Sequence, residues 1–376
     1  ESQLKSPDGN VVTINEELFE TLGANYNDPL WDTFLDQLTT EDAIKLVVMG
    51  GYSTAEAESV GKIWLRDNDG PMGLTRSNAS ITETSKWTWF PMAGLIGNSW
   101  NKQLAYDYGK TVAAEGAATG VHGWYAPGAN IRRSPFGGRN NEYYSEDPVL
   151  SGYSAAYTVL GALEGNMAPY IKHFALNETE TLRNSLYTWA TEQNIRENYL
   201  RPFEIAVKKG KANGIMSAFN RVGSVWAGAN HGLLTNILRD EWGFNGSVVT
   251  DWMGGAGNAA EGLASGNDLW LNGAQNMTHN LGSNWSKDVL KANRVRRACK
   301  NILFQLCNTQ YIYNHAENNT GSGNKIISVN RPKPYWLFAV AGINVILVDL
   351  AFVFVYQGFI KKGNDKNEKD LQKSEN

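Results

Sequence analysis

The chain has 376 residues, with 34 Lys and Arg against 38 Asp and Glu and a formal charge of -4, so it carries no basic excess to neutralise a phosphate backbone. Nucleic acid is set aside as a partner on that ground. Charged residues make up only 19%, while 38 glycines, 13 tryptophans and 16 tyrosines describe a loop-rich protein suited to a planar, hydroxylated ligand and exclude a largely disordered chain.

Residues 1–30 open with Glu1 rather than Met and are polar, with Gly, Pro, Asn and Asp scattered through them. No charged-then-apolar leader is visible, and the stretch reads as a linker from a missing upstream region. Between 31 and 310 short apolar runs alternate with helical patterns. Strand candidates lie at 63–66, 89–94, 121–126, 169–174, 214–218, 246–250 and 268–271, and helical stretches at 101–119, 188–208 and 230–241. Such alternation predicts an α/β fold, a parallel sheet closed as a (β/α)8 TIM-like barrel. A doubly wound open sheet is the competitor, but no strand runs into a G-x-G-x-x-G loop or a P-loop.

Cys299 and Cys307 fall in the helical pattern Val295, Ala298, Ile302, Leu303, Leu306. Eight residues of helix separate them by about 12 Å, too far for a disulfide, so both read as packing residues. The five histidines show no metal-ligand spacing, and neither a metal nor another cofactor is expected.

Residues 311–334 form a polar linker, and 335–357 read as a transmembrane helix. In the 21 residues from Trp336 to Tyr356 only Asn344 and Asp349 are strongly polar. The summed gain from the Leu, Ile, Val and Phe residues exceeds the cost of one aspartate. Tyr335 and Trp336 mark one boundary and Tyr356 the other. Lys361, Lys362, Lys366, Lys369 and Lys373 follow the span, against Lys325, Arg331 and Lys333 before it. The positive-inside rule then makes 358–376 a charged cytoplasmic tail and places the barrel outside the cell, anchored by a single pass through the membrane bilayer.

Chemistry collects where strands end. Arg66 to Asp69, Arg132 and Arg133, Lys172 and His173, Phe219 and Asn220, and Asp251 and Trp252 each follow or close a strand candidate. Barrel active sites gather at that end, and such a ring describes a pocket for a polyhydroxylated ligand.

Residues 126–148 (APGANIRRSPFGGRNNEYYSEDP), 172–180 (KHFALNETE), and Trp242-Gly243-Phe244 leading to Val248–Trp252 carry a family likeness, with Asp69-Gly70-Pro71 at its start. Over about residues 30 to 310 the chain resembles the family 3 glycoside hydrolases. The resemblance implies a retaining, exo-acting β-glycosidase of the β-glucosidase kind, a hydrolase of terminal β-linked sugars working through a covalent glycosyl-enzyme. It implies that Asp251 is the nucleophile, a role its residue type supports, since a strand-tip carboxylate can attack an anomeric carbon. Asp69, Arg133, Lys172, His173 and Arg183 would bind the hydroxyls of the sugar, with the face of Trp252 against its ring. The plainer readings are a helix-capping Asp251, ion pairs of Lys172 and Arg183 with Glu180 or Glu178, and an Arg139 that braces its loop through Glu142 or Glu146.

Two positions depart from the family pattern: Phe219 stands where Tyr is frequent, and Asn141 where an aromatic is common. A retaining mechanism also needs a second carboxyl about 5–5.5 Å from the nucleophile. Residues 175–180 lack the Asp-His pair that serves as acid in the N-acetylglucosaminidase branch. In the β-glucosidase branch the acid/base is a Glu on an α/β sandwich domain, expected here upstream of the chain and outside it. The alternative is a membrane-anchored, non-catalytic carbohydrate-binding module derived from the same fold.

Overall fold

The structure, a computed structural model, describes residues 16–76, 86–252, 258–271, 281–307, 309 and 335–361. It divides into two units, Glu1–Ile326 and Ile327–Asn376.

In the first unit the strands are β1 (Ser53–Thr54), β2 (Leu65–Asp69), β3 (Gly123–Tyr125), β4 (Ala168–Pro169), β5 (Ile171–Phe174), β6 (Tyr187–Thr188), β7 (Gly214–Ser217), β8 (Arg221–Val222), β9 (Val225–Trp226) and β10 (Ser247–Thr250). β2, β3 and β4 run parallel in one sheet, and β5, β7 and β10 in another. Tyr170 alone separates β4 from β5, so the two sheets follow one another around a barrel. Beyond β10, Val249 bridges to Leu269, and Trp270 exchanges backbone hydrogen bonds with Val47 and Gly50. The chain then passes through Tyr52, whose carbonyl accepts from Asp67 N–H, into β1 beside β2, and the ring is closed.

Helices cover the strands, and their ends are chemically marked. Lys102–Thr119 starts at Asn101, whose side chain accepts from the backbone N–H groups of Gln103 and Leu104, and stops at Gly120 in the left-handed region at φ +70°. Pro148–Glu164 has Asp147 as its cap and Pro148 in its first turn. These two helices touch backbone to backbone: a Cβ on Gly109 would lie 2.0 Å from Thr158 O, and one on Gly161 2.0 Å from Tyr106 O. Beneath them Val112, Trp124, Val159, Ile171, Phe203, Ile215 and Val248 form one buried cluster, and Trp31, Phe34, Leu46, Leu65, Ile302 and Leu303 belong to a second.

Some elements differ from the sequence reading. β1 is antiparallel to β2, so the described ring is barrel-like without being a regular all-parallel eightfold. A two-residue strand carries no periodicity for sequence to reveal. Within the expected linker 1–30, Glu16–Ala24 is helical and buries Leu18 and Leu22 in the core; the two leucines lie one turn apart on a single face. The strand candidate at 89–94 gives way to a helix, Ala93–Asn98. Both cysteines are buried, as their helical spacing implied, and the Cys299 thiol donates to Ala43 O.

The second unit contains the helix Tyr335–Val355, continued by a wider turn over Tyr356–Lys361. Its segment Phe338–Gly358 has a mean hydropathy of 2.4 and is long and apolar enough to cross a bilayer. The linker 311–334 and the tail beyond 361 lie outside the described residues.

One buried carboxylate ties the far side of the barrel together. Asp268, fully buried, accepts from Arg239 (2.6 Å), from the N–H of Val248 in β10 (2.9 Å) and from Asn301 in the helix Val289–Leu306 (2.8 Å). Asp268→Ala strands the Arg239 charge and should cost about 3–5 kcal/mol of stability, read from urea unfolding midpoints.

Candidate active site

The strand ends converge on Asp251, which follows β10 and donates its N–H to Ser217 O at the end of β7. Its carboxyl is 13% exposed. Oδ1 accepts from the N–H of Trp252 at 2.7 Å, whereas Oδ2 is buried and has no hydrogen-bond partner among the described residues. Burial pushes the Asp251 pKa up to about 6, against the pull of Arg139, the Trp252 N–H and Lys172, while Asp69 adds to the rise.

Asp69 closes β2 at the start of a tight hairpin, where Asp69 and Thr75 exchange backbone hydrogen bonds. Two buried aromatic donors pin this hairpin from below, Tyr108 OH to Pro71 O (2.7 Å) and Trp124 Nε1 to Gly70 O (2.7 Å). The Asp69 carboxylate takes a 2.5 Å bond from Lys172 Nζ and a 2.8 Å bond from Gly70 N–H. Burial works to raise its pKa, but the lysine and the amide outweigh burial and hold it below the ordinary carboxylate value.

Lys172 and His173 are neighbours in β5, and both side chains reach the site. Regular pleating would send one to each face. The pairing of β5 with β7 shifts register between Ile171 and Phe174, which re-aims the segment. His173 Nε2 lies 3.6 Å from Asp251 Oδ2 and Nδ1 lies 3.3 Å from Tyr143 OH. Burial, reinforced by Arg139, Lys172 and Arg183, drives the His173 pKa well below its usual value, so the ring is neutral near pH 7.

Arg139 keeps the loop-bracing role expected of it and has a second influence that residue spacing did not reveal. It does brace its loop, in a two-pronged pair with Glu142 (3.1 and 2.7 Å) and 3.9 Å from Glu180. It is also the strongest cationic influence on Asp251 and acts on Asp69 and His173 as well. Arg133 is not brought to this cluster: its guanidinium donates to Thr179 (2.9 Å) and lines a separate cavity of about 260 Å³ with Glu178, Tyr187, Trp189 and Tyr199. Close approaches turn the loop between the two arginines. A Cβ on Gly137 would lie 2.9 Å from Glu178 O, and one on Gly138 3.0 Å from Glu180. Nothing in residue spacing distinguishes them.

Arg183 pairs with Glu180 at 2.5 Å and lies over the ring of Phe219, 4.1 Å from its centroid. The ring without a hydroxyl thus serves as a platform for a cation. Trp252 is 48% exposed, and its ring centroid is 5.7 Å from that of Tyr52. Asn141 rests beside Met72, its Nδ2 3.9 Å from the sulfur. The described residues include no cluster of side chains able to hold a metal ion.

A family model described as Glycosyl hydrolase family 3 N terminal domain matches residues 78–297. The chain is 35% identical over 277 residues to a beta-glucosidase of Rhizobium radiobacter, covering 73% of this chain and 34% of that protein. It is 38% identical over 222 residues to an exo-alpha-(1->6)-L-arabinopyranosidase of Bifidobacterium longum, covering 57% of this chain and 29% of that protein. The structure of beta-glucosidase 3B from Thermotoga neapolitana in complex with alpha-D-glucose superposes with a TM-score of 0.70 at 35% identity, over 77% of this chain and 44% of the other. The chain therefore spans about a third to under a half of the length of these relatives.

The raised Asp251 pKa fixes a sign for stability. Well below the ordinary value of 3.8 the carboxyl is protonated in both folded and unfolded chains, and Asp251→Asn should be nearly neutral. Between the ordinary value of 3.8 and about 6 the unfolded chain ionises first, so the native protein loses stability that the variant keeps. At pH 8 Asp251→Asn is expected to be more stable than the natural chain by roughly 2–3 kcal/mol in denaturant titrations. A helix-capping aspartate would give the opposite sign.

Proposed function

The chain belongs to glycosyl hydrolase family 3, and from that premise we propose that it is the barrel of a retaining, exo-acting β-glycosidase of the β-glucosidase kind. The observation that carries this reading is the Asp251 oxygen that is buried and has no hydrogen-bond partner among the described residues, with Arg139 and Lys172 acting to keep it ionised. Oδ2 attacks the anomeric carbon, a glycosyl ester forms at Asp251, and the leaving oxygen departs with a proton from an acid. Water then attacks the same carbon, surrenders its proton to that acid's conjugate base and releases the sugar. Asp69, Lys172, His173 and Arg139 bind hydroxyls, Arg183 holds the Glu180 side of the pocket and Trp252 offers its face to the ring. Arg133 has no part in this constellation. The substrate is a glycoside or oligosaccharide, with glucose the first choice of sugar. The arabinopyranosidase among the relatives tempers that choice.

The acid is placed outside the chain, on a Glu of an α/β sandwich domain. The carboxylates that surround the site are committed elsewhere: Asp69 to Lys172, Glu142 to Arg139, Glu180 to Arg183, and Glu178 to Asn130. We also propose that the apolar helix of the second unit crosses the cell membrane once, with the barrel outside and 358–376 in the cytoplasm. Its length and hydropathy support this.

Two outcomes test these readings. The chain should turn over dinitrophenyl β-glucoside but barely touch cellobiose, because only the poorer leaving group needs a proton. A 2-deoxy-2-fluoro analogue should leave its ester on Asp251 by peptide mass spectrometry, and Asp251→Asn should lower turnover on the order of a thousandfold or more. Label on another carboxylate sinks the assignment, and absence of both labelling and turnover favours the binding-module alternative. Separately, a chain ending at residue 334 should remain folded and leave the membrane fraction on cell breakage, while the full chain sediments with it.

A further inference from the structure

At His173 the β5 backbone stands where its ladder to β7 has slipped. On its other side the strand is paired as far as Lys172, whose N–H donates to Pro127 O (3.0 Å) and whose carbonyl accepts from Ala129 N–H (2.8 Å). One residue further a side chain takes over. The Asn130 Oδ1 accepts the His173 N–H at 2.6 Å, and its Nδ2 donates to the His173 carbonyl at 3.0 Å. An amide side chain has the donor and acceptor of a peptide unit, so Asn130 stands in for the missing strand partner. It is fully buried. Its orientation is fixed at both ends: a backbone N–H can only donate, so Oδ1 faces His173, and Nδ2 also donates to Glu178 Oε1 at 3.1 Å. A flipped amide would set its oxygen against that carboxylate and its NH₂ against the His173 N–H.

We propose that Asn130, oriented by Glu178, is the positioning residue that sets the His173 imidazole between Tyr143 and Asp251. This deepens the glycosidase reading and rests on it. Neither residue touches the sugar. Their effect reaches the reaction through the place and tautomer of one ring: Nδ1 lies 3.3 Å from the Tyr143 hydroxyl, which itself donates to Asn177 O, and Nε2 lies 3.6 Å from Asp251 Oδ2. If the clamp is lost, the His173 peptide is free to turn and the ring leaves the nucleophile.

The test uses the full chain and four forms: natural, Asn130→Ala, Glu178→Ala and Glu178→Gln. One measurement is the rate at which dinitrophenyl 2-deoxy-2-fluoro-β-glucoside labels Asp251, followed by intact mass, since that step needs no acid. The other is the imidazole ¹⁵N spectrum, in which His173 is assigned by its loss in His173→Gln. The natural chain should show a single neutral tautomer. Asn130→Ala and Glu178→Ala should mix the tautomers and slow the maximal labelling rate at least tenfold, with less than a threefold change in half-saturating concentration. Glu178→Gln keeps an acceptor for Asn130 and should restore both readouts to within threefold. If Asn130→Ala fails to fold, the Glu178 pair still decides. Natural tautomer and natural labelling rate in the alanine variants overturn the proposal. Tautomer mixing in variants of a chain that is never labelled upholds the clamp and overturns the glycosidase reading instead.

Discussion

A carboxylate taken out of water has to be kept charged by its neighbours, and the arrangement around Asp251 follows from that requirement. Burial alone would neutralise it. Arg139 and Lys172 supply the opposing charge, but a buried cation carries the same difficulty, and each is answered in turn: Lys172 by Asp69, Arg139 by Glu142 and Glu180. The alternation continues to Arg183, which Glu180 shares. Removing Asp69 leaves the buried Lys172 with an uncompensated charge. These residues come from the ends of β2, β5 and β10 and from the loops after β3 and β5, so only a closed sheet can deliver them to one place.

On the proposed reading, the same network explains why the described residues offer a nucleophile without a spare acid. A general acid must hold its proton near neutral pH and have a free path to the leaving group. Glu178 is pushed up to about 7 by burial, yet it is almost fully enclosed and faces Asn130. Of the other carboxylates, Asp69 is held below its ordinary value by Lys172, and Glu142 and Glu180 are ion-paired to Arg139 and Arg183. Charge balance and acid function draw on the same groups.

What the sequence revealed was set by period and by strand ends. Lys172, His173 and Asp251 were legible because each falls at an apolar run of strand length, and Cys299 and Cys307 because a helical spacing surrounds them. The choice between Arg133 and Arg139 was not legible. Five residues of irregular loop separate them, and its path depends on contacts with Glu178 and Glu180, some 40 residues away. Asn130 was invisible for a related reason: its importance comes from a register slip in β5, and a slip leaves no trace in composition. The antiparallel β1 and the helix Glu16–Ala24 are brief, and tertiary packing outweighed their weak local pattern.

The hairpin of residues 69–75 arrives already braced, with Tyr108 and Trp124 holding its carbonyls from beneath. Ordering Asp69 therefore costs a ligand little, and the affinity it provides is present before any reaction begins. On the proposed reading that affinity is for the hydroxyls of the sugar, which the released monosaccharide carries just as the intact glycoside does. Such binding favours reactant and product alike. The rigidity that would make the pocket ready for a glycoside would, on that reading, also make free sugar its natural competitor, with the rate falling as sugar accumulates around the protein.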